Sequence, residues 1–176
     1  KMSMVLCSSP LWNRERYLPE WMEWHTNKNI ANMDSIVIYS HIWTETTWQV
    51  TKPFVDDDLA IIVRPWNWTQ MAAQNHCVYM FQYTARWLLF IDVDEFIMLP
   101  PEKDNLLSII DELVETEERA GLSLSSVQFG GSPTFNRSDW SHLVTEHFVD
   151  ATSRAYSEEF ATKMFIRPTN VDSISV

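Results

Sequence analysis

Short apolar runs alternate along this chain with stretches of helical period, which predicts an α/β sheet. Met4 to Cys7 reads as the first strand, ended by Ser8, Ser9 and Pro10. A helix follows from about Leu18 to Thr26, with Pro19 in its first turn. Ser35 to Tyr39 is a second, buried strand, Thr44 to Phe54 a Thr-rich helix, and Leu59 to Val63 a third strand ended by Arg64 and Pro65. Met71 to Ala85 reads as a helix. Trp87 to Ile91 (Trp-Leu-Leu-Phe-Ile) is so continuously apolar that it belongs at the centre of a sheet. An acidic helix capped by Asp104 ends before Gly121. Its inner face is Leu106, Ile109, Ile110, Leu113 and Val114, and its solvated face carries Asp111, Glu112, Glu115, Glu117 and Glu118. Val127 to Phe129 starts a further strand, and from Gly130 to about Ala161 the pattern weakens into loops and short helices. Lys163 to Arg167 is a last strand stopped by Pro168. No repeat, low-complexity run or linker divides the chain.

Composition narrows this picture. With 176 residues and 45% hydrophobic content, the chain is long enough to bury its own core. Thirteen basic against twenty-four acidic residues leave a net charge of −11, which excludes the usual basic footprint of a nucleic-acid or anionic-membrane binder. A nucleotide ligand stays compatible, because a divalent ion neutralises a diphosphate where basic residues are scarce. Nine Trp residues serve as core packing or as stacking faces for sugars. No stretch has the roughly eighteen apolar residues of a spanning helix, and no signal peptide is evident. The chain begins at Lys1, so it reads as a piece of a longer protein. Asn67-Trp68-Thr69 and Asn136-Arg137-Ser138 match the glycosylation triplet, and Cys7 and Cys77 are either a disulfide or two buried thiols. Together these lean towards a luminal compartment.

The chemistry concentrates at Ile91-Asp92-Val93-Asp94-Glu95-Phe96, where a buried strand runs into three carboxylates. Open α/β sheets bind ligands beyond the carboxyl ends of their strands. In an extended segment Asp92 and Asp94 point the same way. Two carboxylates so placed repel one another, and a hard cation such as Mn²⁺ or Mg²⁺ relieves that repulsion and holds a diphosphate. The bland alternative is a solvated strand cap. Asp-x-Asp after an apolar strand also opens phosphatases of the haloacid dehalogenase type, but Phe96 stands where those place Thr or Val, and no Gly is nearby.

An ordered set of segments resembles glycosyltransferase family 92 and the related family-2-like transferases. It comprises Cys7-Ser8-Ser9-Pro10-Leu11, Glu20-Trp21-Met22-Glu23-Trp24-His25, Ile38-Tyr39, Gln74 with Cys77, Phe90 to Phe96, and Lys163 to Pro168. The resemblance covers nearly the whole chain. It implies a GT-A (Rossmann-like) nucleotide-diphospho-sugar transferase fold, with a mostly parallel central sheet flanked by helices. Residues 1–176 then form a single GT-A-type catalytic domain, truncated at both ends. It further implies a Mn²⁺ or Mg²⁺ cofactor, a UDP-sugar donor, a glycan acceptor, and a membrane-anchored parent in the Golgi or another secretory lumen. Several members of the family transfer galactose in β linkage with inversion. By the same resemblance Asp92 contacts the ribose or the metal, Asp94 ligates the metal, Ser8, Ser9 and Tyr39 line the nucleotide pocket, and Gln74 lies near the donor.

Other residues carry two readings each. Arg14 or Arg16 pairs with the donor's phosphates or is plain surface charge. His25 is a base or ligand, or it fixes a helix against the sheet. A His after the late strand often completes the metal shell in such enzymes. None follows Lys163 here, and His142 and His147 precede that strand. The acceptor's proton needs a base, for which Glu146 and Asp150 in the weakly patterned region are the candidates, with Trp140 as a stacking face. The rival to a transferase is a catalytically degenerate carbohydrate-binding module.

Overall fold

The computed structural model describes residues 1–103, 105–114, 119–130, 143–148, 150, 151 and 163–174. They form two compact units. One comprises Lys1–Leu122 with Met164–Val176, the other Ser123–Lys163.

The first unit is built on β1 (Met2–Ser8), β2 (Ser35–Tyr39), β3 (Ala60–Val63) and β4 (Ala85–Ile91). Between them run α1 (Leu18–Thr26), α2 (Glu45–Asp56) and α3 (Gln70–Phe81), and α4 (Leu106–Leu113) follows. With β5 (Gly121–Leu124) and β8 (Lys163–Ile166), the sheet order is β3-β2-β1-β4-β8-β5. The first four strands are parallel and β8 runs antiparallel to β4. This is the expected mixed α/β, Rossmann-like architecture with a mostly parallel sheet flanked by helices.

The continuous apolar runs of β1, β2 and β4 follow from burial on both faces. Alternate residues Val5, Cys7, Val37, Tyr39, Leu88 and Phe90 pack with Ala73, Cys77, Val78 and Phe81 of α3. Helix starts are chemically marked. Thr44, Thr69 and Asn105 each accept a backbone N–H of the first turn, from Thr47, Ala72 and Ser108. Cys7 of β1 and Cys77 of α3 form a disulfide.

Several boundaries differ from the sequence reading. Helix α3 stops at Phe81, and Ala85 already pairs with Met2, because the parallel register with β1 reaches past Trp87. Helix α4 is capped by Asn105 and ends at Leu113; Asp104 and residues 115–118 lie outside the described residues. Its buried stripe is Leu106, Ile110 and Val114, whereas Leu113 is 53% exposed. Asp111 is not simply solvated, since Arg86 of β4 pairs with it at 2.9 Å. Gly121 is part of strand β5 rather than a helix stop. A Cβ there would lie 2.4 Å from the Phe165 carbonyl oxygen, so only glycine allows β8 this close.

In the second unit, β6 (Phe129–Gly130) pairs antiparallel with β7 (Asp150–Ala151), and α5 (Val144–His147) is a single short turn of helix. Asn136, Trp140 and His142 lie outside the described residues.

Candidate functional site

Strand order places the site. After β1 the chain crosses to β2 and β3 on one side, then returns through α3 to β4 on the other side of β1. The carboxyl ends of β1 and β4 thus flank a topological switch point, where the crossovers diverge and leave a crevice. Ser8 pairs with Ile91 in register, so Ser9 and Asp92 leave the sheet together. The Ser9 hydroxyl donates to Asp92 Oδ1 directly across that point, and Ser9 N–H donates to the Ile91 carbonyl at 3.3 Å.

Beyond Asp92 the backbone does not continue extended but turns at once. Glu95 N–H donates to the Asp92 carbonyl at 3.1 Å, and the Glu95 carboxylate folds back to accept the Asp92 N–H at 2.9 Å. Val93 is buried beneath the turn and Asp94 stands out from it, 38% exposed at its side chain. Arg14, on the segment after β1, reaches Asp94 at 3.4 Å. Both aspartates therefore face the chain that leaves β1, brought there by a turn rather than by strand alternation. Arg16 is engaged elsewhere, donating to the Tyr17 hydroxyl at 2.9 Å.

Ser8 and Tyr39 form the floor. Ser8 is buried, and its hydroxyl accepts the Tyr39 N–H at 3.2 Å, tying β1 to β2. The fully buried Tyr39 phenol meets His76 Nδ1 at 3.0 Å, and burial pushes its ionisation well above the usual range. Trp66 packs edge-on to Tyr39 at 4.8 Å and beside His76 at 5.3 Å. Its indole Nε1 is buried without a hydrogen-bond partner. Gln74 is half-buried on α3, two residues before His76. The next residue, Asn75, exchanges two hydrogen bonds with the Ile174 backbone, at 2.8 and 2.7 Å, and so ties the segment after β8 to α3. At the rim, exposed Trp12 stacks on His41 at 4.9 Å with planes 14° apart. Sequence reasoning missed His76, His41 and Trp66. The signal for His76 was only its nearness to Gln74 and Cys77, because its partner is 37 residues away.

His25 fixes helix α1 to the segment after β4. It is fully buried, and desolvation holds its ionisation down to about 4, so the imidazole is neutral. Ile97 N–H points at Nε2 at 3.3 Å, which leaves the ring proton on Nδ1, donated to the Trp21 carbonyl at 2.7 Å. Trp21 and Trp24 donate their indole N–H groups to the Glu95 and Ile97 carbonyls at 2.9 and 2.8 Å.

Of the candidate bases, Glu146 is exposed on α5 and accepts the Leu143 N–H at 3.1 Å. Asp150 lies in β7 with its side chain outside the described atoms, as does that of His147. Among the described residues no group of three or more His, Cys, Asp or Glu side chains is gathered to hold a metal ion. The donor set nevertheless fits one kind of site. Two carboxylates plus substrate phosphates and water is how Mg²⁺-class ions are commonly held, and Asp92 and Asp94 are oxygen donors that both reach solvent.

The chain is similar to known proteins over nearly its whole length. The family model described as "Glycosyltransferase family 92" matches residues 2–176. A glycosyltransferase family 92 protein of Ricinus communis is 28% identical over 131 residues, covering 73% of this chain and 23% of its own length. A galactan beta-1,4-galactosyltransferase of Arabidopsis thaliana is 23% identical over 154 residues, covering 80% of this chain and 30% of its own length. The chain thus spans less than a third of the curated relatives it matches. Among solved structures, 4-diphosphocytidyl-2C-methyl-D-erythritol synthase superposes with a TM-score of 0.51 at 11% identity. The match covers 96% of this chain and 76% of that one, a likeness of fold alone.

Proposed function

The chain belongs to glycosyltransferase family 92, and from that premise we propose that it carries the donor site of an enzyme moving a sugar from a UDP-sugar to a glycan acceptor. The observation that carries this reading is the Ser9–Asp92 contact across the switch point, with Asp94 on the adjoining turn. Asp92 and Asp94 would hold a Mn²⁺ or Mg²⁺ ion. When bound, such an ion neutralises charge on the leaving diphosphate. Ser9 and Arg14 orient the nucleotide's ribose and phosphates, while Ser8 and Tyr39 form the floor that keeps those groups in register. The similarity to a named galactosyltransferase supports galactose as the sugar.

Inversion is the stereochemistry we propose. The acceptor oxygen attacks the anomeric carbon as the bond to the diphosphate breaks, UDP leaves with the electron pair, and the acceptor's proton passes to a carboxylate. Glu146 and Asp150 remain our candidates for that base. We place the parent protein in a secretory lumen, anchored to its membrane. The Cys7–Cys77 disulfide and the exposed Asn67 sequon support the luminal compartment. No helix among the described residues is long and apolar enough to cross a membrane.

A thermal-shift titration with UDP, with and without Mn²⁺, tests the proposal. At a hundred times the dissociation constant a bound ligand stabilises by roughly 2.7 kcal/mol. A Mn²⁺-dependent shift that disappears in Asp94→Ala is the expected result, followed by UDP release from UDP-galactose. Saturable binding of glycan that survives Asp94→Ala, with no UDP shift, would instead identify a carbohydrate-binding module.

A further inference from the structure

Helix α1 reaches across to the segment after the acidic turn and holds it by its backbone. Trp21 Nε1 donates to the Glu95 carbonyl, Trp24 Nε1 donates to the Ile97 carbonyl, and His25 Nε2 accepts the Ile97 N–H. The residue between these contacts, Phe96, is gripped by its ring. Trp24 meets it edge-on at 5.7 Å and His25 lies nearly parallel to it at 6.0 Å. Three groups on less than two turns of helix thus satisfy three backbone atoms of a three-residue stretch more than seventy positions away. Helix packing alone does not require this. An apolar face would bury α1 equally well, and Leu18 and Met22 already supply one. Glu95 is also the residue whose carboxylate caps Asp92 N–H, so fixing its backbone fixes the carboxylate-bearing turn at its far end.

We propose that Trp21, Trp24 and His25 are positioning residues that set the Asp92–Glu95 turn in its metal- and diphosphate-binding geometry. This rests on the donor-site reading above. None of the three touches the ligand. They act through Glu95 and Ile97, as outer groups commonly orient the inner carboxylates of a metal site.

Trp24→Phe is the cleanest test, because it deletes one indole N–H and keeps an aromatic edge for Phe96. The Mn²⁺-dependent affinity for UDP, read by thermal-shift titration, is expected to fall about tenfold while the ligand-free melting temperature stays near that of the wild type. His25→Gln, which keeps an acceptor for the Ile97 N–H, is expected to bind UDP close to normally, and His25→Ala is not. Hydrogen exchange gives a readout that needs no ligand. In Trp24→Phe the Glu95 and Ile97 amides are expected to exchange faster, with the amides inside α1 unchanged. Wild-type affinity together with wild-type exchange in Trp24→Phe overturns the proposal. Equal affinities in His25→Gln and His25→Ala do so too. If the wild-type chain itself shows no Mn²⁺-dependent UDP binding, the donor-site reading falls, and exchange at Glu95 and Ile97 alone then upholds or overturns the positioning role.

Discussion

Asp94 and His25 show how differently two ionisable residues of one site are used. Asp94 is half-exposed and its pairing with the 49%-exposed Arg14 is screened by water, so its contribution to stability is within about 1 kcal/mol. Asp94→Ala is therefore expected to melt like the wild type and yet lose Mn²⁺-dependent UDP binding, two results available from one titration. His25 is the reverse case, exposed to nothing and neutral. Its folded ionisation, near 4, lies below the unfolded value of 6.5, so unfolding takes up a proton in that window. The stability it confers is complete above pH 6.5 and is lost as pH falls towards 4, by up to about 3 kcal/mol. Melting temperatures between pH 7 and 4.5 should fall more steeply for the wild type than for His25→Gln; parallel curves would mean that His25 is protonated in the fold.

At the scale of elements, burial separates residues that periodicity treats alike. Ile110 and Leu113 both belong to the apolar face read from the sequence of α4, but Ile110 is buried and Leu113 is not. Ile110→Ala is expected to cost about 2–4 kcal/mol in a denaturant titration and Leu113→Ala less than about 0.5. The disulfide joins the strand that ends in Ser8 to the helix that carries His76. It closes a separation of 70 residues, worth about 4 kcal/mol in the chain-entropy model. Cys7→Ala with Cys77→Ala should lower the unfolding free energy by that order; an unchanged midpoint would mean that the thiols are free in solution. Elements were largely legible in sequence because their periods and caps are local. Strand β5 was missed because Gly-Leu-Ser-Leu is short and weakly apolar, and only the partner strand β8 makes it a strand.

For the whole molecule, the charge of −11 sets what it avoids. An acidic surface offers few cations for counterion release, so no retardation of duplex or single-stranded oligonucleotide is expected even at low salt. A shifted band that salt abolishes would reveal a basic face hidden in the average. The same charge balance explains why a nucleotide site here would lean on a divalent ion, with Arg14 the cation standing at the acidic turn.

The sequence by itself determined the α/β class, the core strands, the helices between them and the position of the carboxylates at the end of β4. Each of these is written in neighbouring residues, as apolar runs, caps and breaks. It also assigned Asp92 and Asp94 to one side, but by strand alternation, and the backbone instead turns at Val93. Only the tertiary structure decided that β4 lies beside β1, and with it the crevice, the Ser9–Asp92 contact and the Arg14–Asp94 pair. Only it gave the Glu-Trp-Met-Glu-Trp-His segment an object to hold. The physical reason is that local patterning fixes what each segment becomes and which face it buries. Which segments then meet depends on strand order and register, and no periodicity along the chain encodes those.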